Sequence, residues 1–113
     1  MISRKGMNTV LRIKDYYYIS RMKKLDLNKN LSDLDGEEIE NSKLSRLLAG
    51  LLMSQKTGDS VKFFDWAVTL HKTGIIEVDE ADFTTLKTMV KDNTEFLTML
   101  SKAQLIKYFD TVK

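Results

Sequence analysis

The chain has 113 residues, 42% of them hydrophobic, enough for one modest core and too many for a chain disordered throughout. It has no cysteine, which excludes disulfides, thiolate metal sites and cysteine nucleophiles, and no apolar run near the roughly 20 residues that span a bilayer. The formal net charge of +2 hides a division: Arg4 to Lys29 holds eight basic residues against Asp15 and Asp26, whereas Ser32 to Glu40 holds Asp33, Asp35, Glu37, Glu38 and Glu40 with no basic residue. A basic end beside an acidic segment attracts polyanions, another subunit or a second copy of itself.

In chain order, residues 1–8 read as a frayed extension whose basic start has no apolar leader segment behind it. Thr9 to Lys14 alternates apolar and basic residues and predicts a short strand. Asp15 is placed to cap a helix from Tyr16 to about Leu25, with Tyr18, Met22 and Leu25 on one face; the rival is one longer strand through the three tyrosines. Asn28 to Gly36 is polar and predicts a loop. Leu44, Leu47, Leu48, Leu51 and Leu52 then form a helical stripe, capped by Asn41 or Ser42, with Gly58 suited to a left-handed position after its end.

A second helix is predicted from Asp59 or Ser60 to about Lys72, stopped by Gly74. Ile75 to Val78 reads as a strand, Asp79 as the cap of a third helix carrying Phe83, Leu86, Met89 and Val90, and Asp92-Asn93 as its end. The last helical region opens at Thr94 or Glu95, with Ser101 available to cap a separate piece. These elements predict one compact domain over residues 1–113, mainly α, with four or five short helices and at most a short two-stranded ribbon. The expected core is Leu44, Leu47, Leu48, Leu51, Leu52, Phe64, Val68, Phe83, Leu86, Val90, Leu100, Leu105 and Ile106.

Candidate chemistry is thin. His71, the single histidine, falls in the last turn of a helix, where the dipole favours it. Asp79, Glu80 and Asp82 are the acids expected in a helix's first turn. Asp26, Asn28, Asn30 and Glu37 match four positions of a calcium loop, but Leu31 stands where glycine makes the sharp turn and Lys29 adds a positive charge. No two glycines are close enough to cradle a phosphate. The expectation is therefore a protein that is not an enzyme and needs no cofactor or metal.

Two binding surfaces are candidates. The helix after Gly58 is apolar over more than one stripe, so it is either central in the core or uses a second face against a partner. Phe63, Trp66 and Leu70, with Tyr108 from the last helix, are the candidate partner-binding residues. The alternative is nucleic-acid binding through Arg12, Lys14, Tyr16, Arg21, Lys23 and Lys24, where cations neutralise phosphates and tyrosine stacks on bases.

The C-terminal half, from Val61-Lys62-Phe63-Phe64-Asp65-Trp66-Ala67 through Gly74-Ile75-Ile76-Glu77-Val78-Asp79 to Ala103-Gln104-Leu105, resembles small accessory proteins of tailed bacteriophages. The resemblance carries no functional residue across. It implies a small non-enzymatic protein, virion-associated or acting on a host factor in the cytoplasm. Together these observations predict a cytoplasmic protein-interaction or assembly module that self-associates or binds a protein partner, away from the membrane.

Overall fold

The structure, a computed structural model, describes residues 22–112. Their elements run β1 (Lys23–Asp26), β2 (Asn30–Ser32), β3 (Glu38–Lys43), α1 (Leu44–Ser54), α2 (Ser60–Lys72), β4 (Ile75–Val78), α3 (Glu80–Asp92) and α4 (Met99–Thr111). The class is mainly helical: the described residues form four helices with two small antiparallel sheets, one ribbon more than the sequence patterning predicts. The expected strand over Thr9–Lys14 and most of the helix after Asp15 lie outside the described residues. The end of that helix is a strand instead. Leu25 sits in β1, fully buried, with Lys24 and Asp26 on the exposed side, so period two prevails over the helical spacing from Tyr18.

β1 pairs with β4 in the register Lys23↔Val78, Lys24↔Glu77, Leu25↔Ile76 and Asp26↔Ile75. This ribbon joins the start of the described chain to the turn between α2 and α3. The next residues hold the leucine helix. The backbone N–H groups of Leu44 and Ser45 donate to the carbonyls of Lys29 (2.8 Å) and Leu27 (3.0 Å). Those two bonds fill donors that a side-chain cap would otherwise take, and α1 has no capping side chain. Asn41 and Ser42, expected as caps, belong to β3.

The expected loop over Asn28–Gly36 contains β2, which pairs with β3 across an irregular register: two steps along β2, Asn30 to Ser32, face five along β3, Glu38 to Lys43. Asn41 absorbs the excess at φ 59°, a conformation asparagine tolerates better than most residues. Side chains restore the interrupted ladder. The Ser42 hydroxyl accepts from the Leu31 N–H and donates to the Ile39 carbonyl, while Asn30 accepts from the Ser42 N–H.

The other helix starts follow their sequence signals more closely. Asp59 and Asp79 cap α2 and α3 by accepting from the N–H groups of Lys62 and Asp82. α2 ends at Gly74, whose N–H donates to the Leu70 carbonyl in a left-handed conformation, φ 75°. Gly58 also has positive φ, 105°, but it lies in the loop four residues past the end of α1 rather than immediately after it. The last helix begins at Met99, later than Thr94 or Glu95, because the Asn93 side chain accepts from the N–H groups of Phe96 and Leu97 and holds that stretch as a turn; Thr98 then caps α4.

The core is one cluster joining both sheet remnants to all four helices. Leu25, Leu27, Leu48, Leu51, Leu70, Leu86, Leu105, Val78, Val90 and Phe109 are essentially inaccessible. Leu44, Leu52 and Phe83 are buried as expected, whereas Leu47, Leu100 and Ile106 pack on its edge, half-buried. On α2 the expected face is rotated. Phe63, Ala67 and Leu70 turn inward, Val68 is half-buried and Phe64 is exposed. The ring of Phe63 lies so close over Gly58 that a Cβ there would stand 2.7 Å from it, which locks the phase of the helix at its first turn.

Candidate functional site

The rotation of α2 decides which apolar residues face outward. With Phe63 and Leu70 in the core, Phe64 and Val68 form a second stripe beside the outer face of α1, where Ala49 and Met53 are also one turn apart. Between the helices runs an apolar groove of about 470 Å³, lined from α1 by Arg46, Ala49, Gly50 and Met53 and from α2 by Phe64, Ala67, Val68, His71 and Lys72. Its floor includes the small side chains of Ala49 and Ala67. Phe64 and Met53 remain 55% and 48% exposed, large values for such side chains. The charged residues of the lining, Arg46 and Lys72, are both basic, so the groove has an apolar floor and an electropositive edge.

Two other concavities lack this character. One, about 680 Å³, lies between the end of α1, the end of α3 and the Asn93–Phe96 turn, and its lining is largely Thr, Ser, Asn, Gln and acidic residues. Another, about 530 Å³, separates β2 from α4 and has Leu34, Leu44, Leu100 and Ala103 among polar neighbours. Among the described residues, no group of three His, Asp or Glu side chains is arranged to hold a metal ion. The calcium-loop match is broken up by secondary structure: Asp26 ends β1, Asn30 opens β2, and Glu37 lies beyond the hairpin turn.

The shifted titrations have structural causes. Lys62 is raised by its hydrogen bond to Asp82 and the charge of that carboxylate, 3.1 Å away. Asp110 is lowered by the hydrogen bond from Lys87, which ties α4 to α3. Burial raises Tyr108, opposed in part by the Asp26 N–H that donates to its hydroxyl at 2.7 Å. None of these is a nucleophile beside a base.

The four residues expected to bind a partner are not brought together on one exposed surface. Phe63 and Leu70 are buried. Trp66 is half-buried, stacked on Phe63 with ring centroids 5.8 Å apart, and the Lys62 ammonium lies 5.6 Å from its centroid on the way to Asp82. Tyr108 is half-buried and tied to β1. Of the nucleic-acid candidates, Arg12, Lys14, Tyr16 and Arg21 lie outside the described residues; Lys23 pairs with Glu80 at 3.3 Å and stands over the Phe83 ring, and Lys24 is exposed on β1.

The α2 residues that line the groove were legible as a second apolar stripe on that helix. Two adjacent stripes, Phe63/Ala67/Leu70 and Phe64/Val68, compete for the core, and hydrophobicity favours neither. The Ala49/Met53 pair opposite the leucine stripe was the additional signal. No family model, no curated protein and no solved structure matches this chain.

Proposed function

We propose that this chain is a non-enzymatic protein-interaction module and that the α1–α2 groove is its binding surface. The supporting observation is the juxtaposition of exposed Phe64 and Met53 with half-buried Val68 over an apolar floor edged by Arg46, His71 and Lys72. Both helices pack against the core through their other faces, so the fold itself sets the backbone that carries the surface. An apolar side chain entering the groove is desolvated, while the basic edge favours acidic flanks. The resemblance of the C-terminal half to phage accessory proteins is compatible with an assembly role and adds no residue to it.

Phe64→Asp tests the surface without touching the core. Immobilised wild-type protein and variant are compared for retained proteins, and both are measured by light scattering. The expected result is loss of the wild-type associations, including any self-association, with helical circular dichroism unchanged. Identical retention and identical mass for the two proteins would overturn the assignment.

A further inference from the structure

We infer that the occupant of the α1–α2 groove is a second copy of this chain, entering through the acidic β2–β3 tip with Leu34 as its anchor. This rests on the groove being an interaction surface and names its partner.

The tip is built as a fixed shape. The Asp33 N–H donates to the Glu37 carbonyl at 2.8 Å, and the Gly36 N–H donates to the Asp33 carbonyl at 3.0 Å. One oxygen of the Asp33 carboxylate accepts from the N–H groups of Asp35 and Glu37, both at 2.9 Å. Gly36 takes the left-handed conformation, φ 87°, that a turn with a following bulge requires. This framework holds Leu34 at the apex, 96% exposed. One exposed leucine alone would need no explanation. Its surroundings give it meaning: Asp33, Asp35, Glu37, Glu38 and Glu40 flank it and no basic residue falls between Ser32 and Glu40.

Tip and groove are opposites in shape and charge. One is a rigid convex turn with an apolar apex and acidic flanks. The other is a concave apolar strip with Arg46, His71 and Lys72 at its edge and no acidic residue in its lining. The basic stretch of sequence from Arg4 to Arg21 would meet that edge with the same sign and is the poorer occupant. Leu34 borders the cavity between β2 and α4, and the groove's lining includes no residue of the tip, so the tip does not occupy the groove of its own chain. Because two different surfaces meet, the contact is either exchanged reciprocally in a closed pair or repeated head to tail into rings or open chains of copies.

Sedimentation velocity on the full chain, from micromolar to millimolar concentration, tests this with Leu34→Asp and Phe64→Asp. Wild-type mass is expected to rise with concentration to two copies or more. It should fall as salt goes from about 0.1 M to about 1 M, where the screening length shrinks from about 10 Å to about 3 Å. Each variant alone should associate at least about tenfold more weakly. Mixed, the two variants should recover one contact, the intact tip of the Phe64→Asp chain in the intact groove of the Leu34→Asp chain, and stop at two copies. Loss of association in Phe64→Asp but not in Leu34→Asp would overturn the tip as occupant and leave the groove assignment standing. A wild-type protein monomeric at every concentration would overturn self-docking, and the capture comparison would then judge the groove alone. Association unchanged in both variants would overturn both.

Discussion

Gly74 carries two constraints at once. Its φ of 75° excludes most side chains, and a Cβ there would run into the Asn28 side chain, whose Nδ2 donates to the Thr73 carbonyl at 2.7 Å to close the end of α2. Gly36 has similar φ, 87°, but nothing within 4 Å of a Cβ. Gly36→Ala should therefore cost only left-handed strain, about 1–2 kcal/mol. Gly74→Ala should cost about 2–3 kcal/mol, because the displaced Asn28 also loses a hydrogen bond. Urea midpoints at unchanged m-value check the difference. Tyr108 gives a second test at this scale. Its hydroxyl accepts the Asp26 N–H, so Tyr108→Phe should cost about 1 kcal/mol near neutral pH. Because burial raises the folded-state pKa above the ordinary tyrosine value, the folded chain keeps this proton at pH values where the unfolded chain has released it. Stability from the hydroxyl is present below pH about 10 and declines as pH rises through the raised value. The wild-type advantage over Tyr108→Phe should shrink across that window, read by urea unfolding at several alkaline pH values.

At the scale of elements, α4 closes the open edges of both ribbons. Tyr108 binds β1, and one turn earlier the Gln104 amide accepts from the Ser32 N–H at 2.9 Å and donates to the Ser32 carbonyl at 2.7 Å, as a neighbouring strand would. Gln104→Ala should cost about 1–3 kcal/mol and speed hydrogen exchange at Ser32. Such a bond has no signature in sequence, since glutamine on a helix ordinarily reads as surface. What was legible had a local cause. Asp59, Asp79 and Gly74 act within a few residues of themselves, and the leucine stripe of α1 requires one buried face whatever packs on it. What was missed depends on distant segments. Lys29 and Leu27 supply the carbonyls that start α1, β1 is a strand because β4 lies beside it, and the phase of α2 is chosen by Phe63 against Gly58. The same choice turns Phe64 outward and Phe63 inward. Adjacent substitutions measure it: Phe63→Ala should lower stability by about 3–5 kcal/mol and Phe64→Ala by much less, compared by thermal or urea unfolding.

For the whole molecule, the fold depends on contacts between segments far apart in the chain. Leu25 and Leu27 are both inaccessible, β1 reaches β4 across the entire α1–α2 pair, and the Leu27 N–H donates to the Gly74 carbonyl while its own carbonyl receives the Ser45 N–H. Removing Leu25 therefore weakens the junction of ribbon, leucine helix and α2 terminus together rather than one strand. Leu25→Ala should cost about 2–5 kcal/mol, a large share of the about 5–15 kcal/mol that holds a typical domain. The manner of unfolding is as informative as the amount. Trp66 is the single tryptophan and reports on α2, whereas far-ultraviolet circular dichroism reports on the helices together, the four among the described residues included. If the core is one cooperative unit, the two signals should give coincident urea transitions in wild type and in Leu25→Ala, both displaced to lower urea in the variant. A fluorescence midpoint that stays in place while the dichroism transition moves would mean that α1 and α2 form a separate unit, with the ribbon and the last two helices only docked against it.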